Sequence, residues 1–418
     1  MRKILVFTLA SIFVLASCHD HADEPEVKVV PDETIMMYFP WSQGNDHIYQ
    51  SFLNNISAMK MAVELNKGIG NRKLMVYIAQ SATNGVLIDI AYKDGVCVED
   101  TLKRYTNLNG RDYSLSSGIA SFFNDVKQAS QGSKSYSIIM GCHGMGWLPV
   151  GKGPSSAKKA LMDEEVFPSA EGSVETRGSS EIETNVNNEV ETRYFGHASL
   201  EDYQANVSEL SIAIKSTFGR VKMLTIDDCY MSNIEIAYDL RNLADYYIAS
   251  TSEVTVDGLP YRTLGIDLIN GDYQSVCNKY DAYYHSPDNK FPYGTLAVIK
   301  LDQVDAVVSL MKRINEKYGY NGLNPDEIQW ADNYRYTIFF DMSDYVRALC
   351  KNSDEALYNE FLAAMDKLIP YKAWSDEYYS NKVHKKINTF CGVTISDPTR
   401  SPSLYHEKQE TNWWKATH

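Results

Sequence analysis

The sequence predicts an α/β protein: a mostly parallel sheet with helices on both faces, followed by a mainly helical C-terminal elaboration. Three observations carry this. Apolar runs at Thr34–Phe39, Arg72–Ala79, Tyr136–Met140 and Met223–Ile226 have the length and continuity of strands buried on both faces. Amphipathic stretches such as Ile48–Leu65 and Ser114–Lys127 alternate with those runs, as crossover helices between parallel strands do. The chain has 418 residues and is 44% hydrophobic, enough for one large or two ordinary domains with a sizeable core.

The N-terminus reads as a targeting segment. Arg2 and Lys3 precede the apolar run Ile4–Leu15, which is too short to span a bilayer comfortably. Leu15-Ala16-Ser17-Cys18 resembles a bacterial lipobox, in which cleavage falls before the cysteine and Cys18 is acylated, giving a membrane lipid anchor. The competing reading is an ordinary secretory signal. Residues 18–33 are charged, contain prolines and read as a tether. Their acidic residues resemble a surface-export signal of some Gram-negative bacteria. No later run of about 18 apolar residues follows, so nothing else in the sequence is expected to span a membrane.

The core is expected over residues 34–270. Val86–Tyr92 and Val96–Val98 suggest a hairpin on Lys93-Asp94-Gly95. In Ser114–Lys127 the residues Leu115, Ile119, Phe122, Phe123 and Val126 share one helical face. Residues 152–193 differ: rich in Ser, Glu, Thr, Asn and Gly and nearly free of aromatics, they read as a mobile insertion. A helix is expected to resume at Ser199, where Asp202 completes a capping-box pattern, with Leu200, Tyr203, Val207, Leu210 and Ile214 on one face. Residues 271–418 are expected to pack on this core, with helices at Val304–Lys317, Met342–Cys350 and Glu355–Leu368, a strand at Thr389–Ile395, and Trp413-Trp414 as core aromatics.

Two strand ends carry chemistry. Tyr136–Met140 runs into Gly141-Cys142-His143-Gly144, and Met223–Ile226 into Asp227-Asp228-Cys229, followed by a turn and a helical pattern. Ligands bind outside the carboxyl ends of strands in open α/β sheets. Neighbouring strands lie about 4.8 Å apart, so adjacent ends bring an imidazole to a thiol, as a Cys–His catalytic pair requires. A thiol beside a helix N-terminus has its anion stabilised by the unpaired amides there; a lone cysteine is otherwise more often inert core. The amide of Gly144 is a candidate oxyanion donor. Asp227 precedes Cys229 by two and is expected on the same face, whereas Cys142, at i−1 to His143, points to the other face and reads as core.

The other cysteines, Cys97, Cys277, Cys350 and Cys391, form no C-x-x-C or zinc spacing and read as mostly free, buried thiols. The net charge of −14 argues against nucleic acid as a partner and fits cationic peptide substrates.

The residues around both strand ends resemble the clostripain family of cysteine peptidases, relatives of caspases, legumains and gingipains. His143-Gly144-Met145-Gly146-Trp147 matches H-G-x-G-W, and Asp227-Asp228-Cys229-Tyr230-Met231 matches D-x-C-x-M. Glu235 with Tyr238-Asp239-Leu240-Arg241 and then Gly258-Leu259-Pro260-Tyr261 continue the likeness, with Asp239 in place of Glu and Leu259 in place of Trp. The resemblance implies a caspase-like three-layer fold and a Cys229–His143 dyad with no third member. It implies a basic-residue pocket at Asp227, with Asp257 where a second pocket acid would stand. A carboxylate pair suits a guanidinium, so the expected cleavage is after Arg, with Lys less favoured. It also makes self-cleavage plausible in the insertion: Arg177 is the best site, since Gly178-Ser179-Ser180 follows it, ahead of Arg193, Lys158 and Lys159. No cofactor is required. Some relatives depend on calcium, but no D-x-D-x-D-G loop is present. The alternative function is a catalytically silent surface lipoprotein that binds peptides or glycans.

Overall fold

In the computed structural model, which describes residues 30–40, 47–150, 201–319, 323–350, 353–381 and 383–418, the strand Glu33–Phe39 (β1) lies near the middle of one large sheet. All seven of its residues are buried. The strands after it in the chain are β2 (Arg72–Ser81), β3 (Asn84–Lys93), β4 (Val96–Tyr105), β5 (Tyr136–Met140), β6 (Val221–Ile226), β7 (Ala244–Ala249) and β8 (Thr295–Lys300). Two more strands follow, β9 (Phe340–Asp341) and β10 (Tyr371–Trp374). Among the described residues the sheet runs β10-β8-β7-β6-β5-β1-β2-β3-β4. The five inner strands, β7 to β2, are parallel, and an antiparallel pair closes each end.

Consecutive residues on β1 show why helices cover both faces. Phe39 stacks on Phe52 of the helix His47–Leu65, at 4.5 Å between ring centroids. Tyr38, pointing the other way, meets Phe123 of the helix Ser116–Ala129 edge-on at 5.3 Å. Such aromatic pairs add about 0.5–1.5 kcal/mol beyond the area they bury. The helix Tyr261–Asn270 packs beside His47–Leu65, with Gly265 leaving no room for a side chain against Met59, and Val207–Phe218 packs beside Ser116–Ala129. The three-layer α/β architecture is therefore the one the sequence predicts.

Several elements differ from expectation. The helix before β6 begins at Val207, not Ser199; Asn206 is its N-cap, and Glu201–Tyr203 forms a separate single turn. The hairpin strand β4 runs on to Tyr105. Thr389–Ile395 is not a strand over its length: only Thr394–Ile395 (β13) pairs, with β9, after Gly392 takes a φ of 95°. Between them lies the hairpin of β11 (Glu377–Ser380) and β12 (Val383–Lys386). The sheet also continues past residue 270, since β8 and β10 extend it.

The targeting segment with Cys18, the tether to residue 29, and the insertion with Lys158, Lys159, Arg177, Arg193 and Ser199 lie outside the described residues. No helix among the described residues is long and apolar enough to cross a membrane.

Candidate active site

β5 and β6 are adjacent and parallel, paired from Ser137↔Met223 to Met140↔Ile226. His143 and Cys229 each follow the last paired residue of their strand by three positions. The two residues named from the sequence thus stand at the same level beyond the ends of adjacent strands. Asp227 N–H extends the ladder by donating to the Met140 carbonyl at 2.8 Å.

The loops beyond the strands interlock. Gly144 lies against the backbone of Cys229: a Cβ built there would collide with the Cys229 carbonyl oxygen and stand 2.8 Å from its nitrogen and 2.7 Å from Asp228 Cβ. Asp228, fully buried, fastens the ends from the other side. Its Oδ1 accepts from the Cys142 N–H at 2.6 Å, and its Oδ2 accepts from the Cys142 thiol at 3.2 Å. Cys142 is therefore a buried hydrogen-bonding partner of the staple and sits in the core, as expected.

Cys229 is 1% exposed. Its sulfur accepts from the Val254 N–H at 3.2 Å. Leu148, Tyr230, Val254, Ile338, Phe339 and Leu404 pack in one apolar cluster with it, and Met145, Trp147 and Tyr334 border the cluster. Tyr230, next in sequence, has a φ of 58°, a conformation that non-glycine residues hold only when their surroundings over-determine it. Here its ring stacks on Phe339, its hydroxyl donates to Glu253 and meets Ser380 at 2.6 Å, and Asn233 Nδ2 donates to its carbonyl at 2.8 Å. Asn233 also caps the helix Ile234–Leu240 by accepting from Ile236 N–H. The cysteine accordingly sits one short turn before a helix N-terminus.

Asp227 points under the following loop. Its Oδ2 accepts from the Leu259 N–H at 3.0 Å and the Tyr261 hydroxyl at 2.8 Å. It lines a cavity of about 10 Å³, together with Val254, Gly258, Leu259, Tyr280 and Tyr284. That volume admits about one water. Asp257 is exposed on the same loop, and its carbonyl accepts from Asn55 Nδ2 at 2.7 Å. The two acids are thus near neighbours in the chain fold but differ in burial. Val150 N–H donates to Asn206 Oδ1 at 2.9 Å, which joins the described residues on the two sides of the insertion. Among the described residues no group of three or more His, Cys, Asp or Glu could hold a metal ion.

The sequence model of the clostripain family matches residues 183–402. A solved structure of a secreted C11 cysteine protease from Bacteroides thetaiotaomicron, "iotapain", is 35% identical, covering 93% of this chain and 100% of its own, with a TM-score of 0.78.

The protein belongs to the clostripain family.

As a clostripain-family member it is a cysteine peptidase with the caspase-like fold. An inactive zymogen C11 protease from Parabacteroides distasonis shares the fold at 21% identity, covering 93% of this chain and 99% of its own, with a TM-score of 0.72. A clostripain from B. thetaiotaomicron ATCC 29148, solved with the peptide inhibitor BTN-VLTK-AOMK, is 38% identical over 54% of this chain and 99% of its own, with a TM-score of 0.51. No curated protein matches the chain.

Sequence reasoning did not single out Asp228, Tyr230 or the partner of Trp147. A carboxylate between two motif residues signals that something nearby needs an acceptor, but not which backbone amide. The positive φ of Tyr230 has no sequence signal at all, because Gly or Asn is the usual choice there.

Proposed function

We propose that this clostripain-family peptidase cleaves peptides after arginine, and less readily after lysine, through Cys229 and His143. The observation that carries the reading is the contact of Gly144 with the Cys229 backbone, which sets the histidine loop directly against the cysteine loop. In the proposed reaction His143 takes the thiol proton and the thiolate attacks the scissile carbonyl. The amides of Gly144 and Cys229 receive the oxyanion, each contributing about 3 kcal/mol. His143 then protonates the leaving amine, and water, deprotonated by His143, hydrolyses the acyl-enzyme.

Basic specificity is assigned to Asp227, with Asp257 at the entrance. Asp227 is a buried carboxylate beside a cavity, just past the strand that leads to the nucleophile. The peptide of the inhibitor held by the 38%-identical clostripain ends in lysine, a basic residue at the position next to the reactive group. The cavity of about 10 Å³ admits about one water, so an arginine side chain would need it to widen. Cys229 is 1% exposed, and the cavity beside Asp227 is small.

The burial of Cys229 supports self-processing as an activating step; the sequence places it in the insertion, at Arg177 ahead of Arg193. The two products would stay together because strands on both sides of the insertion share one sheet. Export and anchoring through an acylated Cys18 complete the proposal; the relative iotapain is described as secreted. The reaction so written needs no cofactor, and turnover unchanged by a chelator would exclude calcium dependence.

The test pairs wild type with Cys229→Ala. Wild type should turn over a fluorogenic Arg-ending peptide and yield a new N-terminus at Gly178, while the mutant stays one inactive chain. An intact single-chain wild type with full activity would rule out activation by processing. Turnover by Cys229→Ala above about 1% of wild type would place the nucleophile elsewhere.

A further inference from the structure

His143 lies beyond the end of β5, on a loop that carries no ladder hydrogen bonds of its own to fix its far end. Reacting groups must be held to within a few tenths of an ångström, and a displacement of about 1 Å costs on the order of a hundredfold in rate. The near end of this loop is fixed by Gly144 against Cys229. Gly146, at a φ of 62°, is wedged against Phe339 and Asn233 Nδ2. The far end is Trp147, and its indole Nε1–H donates to Ser396 Oγ at 2.8 Å across 249 positions of sequence.

Ser396 belongs to a buried C-terminal strap that also binds the cysteine loop. Ser396 is fully buried, and its N–H donates to Glu235 Oε1 at 2.8 Å. Glu235 is on the helix that starts just after the cysteine turn. Two residues back, Thr394 N–H donates to the Ser232 carbonyl at 3.0 Å, and Ser232 Oγ donates to the Gly392 carbonyl at 2.7 Å. The strap 392–396 therefore touches the turn after Cys229 through Ser232 and the loop after His143 through Trp147. It also pairs with β9 through Thr394 and Ile395, which ties it to the rest of the C-terminal region.

We propose that Trp147, Ser396 and Glu235 form a positioning relay by which the C-terminal strap sets the separation of His143 and Cys229. Neither Trp147 nor Ser396 acts on substrate; they hold the histidine loop in register with the cysteine turn. The relay rests on the Cys229–His143 reading given above. It predicts that substrate binding survives its disruption while the chemical steps do not. It also gives the C-terminal region a catalytic dependence that its distance along the chain conceals.

The test uses full-length wild type, Trp147→Phe, Ser396→Ala and the double variant. Turnover is measured on fluorogenic peptides carrying Arg, Lys or an uncharged residue before the reporter. Active sites are counted by exhaustive covalent labelling of the thiol, so that any unfolded fraction drops out of kcat. Each single variant should lose roughly ten- to a hundredfold in kcat per labelled site with KM unchanged. The double variant should be no slower than the worse single, because one hydrogen bond is removed in all three. Full kcat in either single variant, multiplied losses in the double, or a loss carried by KM would overturn the relay and leave the peptidase site standing. A wild type that neither cleaves any of the peptides nor labels at Cys229 would overturn the site and the relay with it.

Discussion

Gly144 rests on the backbone of Cys229 with no space for a β-carbon between them. The contact explains why the histidine is followed by glycine: any side chain there would wedge the two strand ends apart. Gly144→Ala should therefore fold, since both strands keep their ladder, but lose roughly a hundredfold or more in kcat/KM. Circular dichroism matched to wild type together with unimpaired turnover would show that the loops do not need to be this close.

Asp228 should prove a stability residue. Removing its carboxylate leaves the buried Cys142 N–H without its acceptor, a loss of about 1–3 kcal/mol. Asp228→Ala should lower the urea midpoint accordingly, with an unchanged m-value. A midpoint equal to wild type would mean that the strand ends are held by the ladder alone.

Asp227 separates specificity from catalysis. Asp227→Ala should reduce kcat/KM for Arg-ending peptides by several kcal/mol of transition-state stabilisation, because a guanidinium in that cavity would lose its counter-ion. Peptides with an uncharged residue at the same position should be affected far less. Equal losses on both would make Asp227 a support for Leu259 and Tyr261 rather than a specificity residue.

Glu235 makes stability depend on pH. Burial, followed by the nearby Asp397 carboxylate, pushes its carboxyl up to about 8 from a usual value of 4.5. A carboxyl raised in the folded state keeps more protons than the unfolded chain between those two values, so stability falls as pH rises from about 4.5 to about 8. Glu235→Gln removes that loss. Its urea midpoint should exceed wild type by a margin that grows across this window and levels off above it. A margin independent of pH would show that Glu235 titrates normally.

Much of this was legible in the sequence because β5 and β6 are short, mostly apolar and lead into reactive residues, so pattern and chemistry agreed. The parallel order followed from helices alternating with strands. The elements that escaped are those whose state is decided by distant partners. β10 has four residues, YKAW, with an exposed Trp374, and is a strand only because β8 offers it an edge. The helix expected at Ser199 starts at Val207 because the chain enters it through a separate turn and Asn206, whose side chain is engaged by Val150. TFCGVTI has strand composition, but Gly392 turns the backbone and its neighbours serve the cysteine loop instead. Trp147 and Ser396 carry no local sign that they belong together. The site was thus readable where it depends on the nucleophile and base, and unreadable where it depends on what holds them.

The central claim, that Cys229 is the nucleophile, is tested most directly by mass mapping of a peptidyl acyloxymethyl ketone ending in arginine on the full-length protein. One adduct is expected, on Cys229, appearing as activity disappears and absent in Cys229→Ala. An adduct on Cys142, or complete inactivation with Cys229 unmodified, would contradict it.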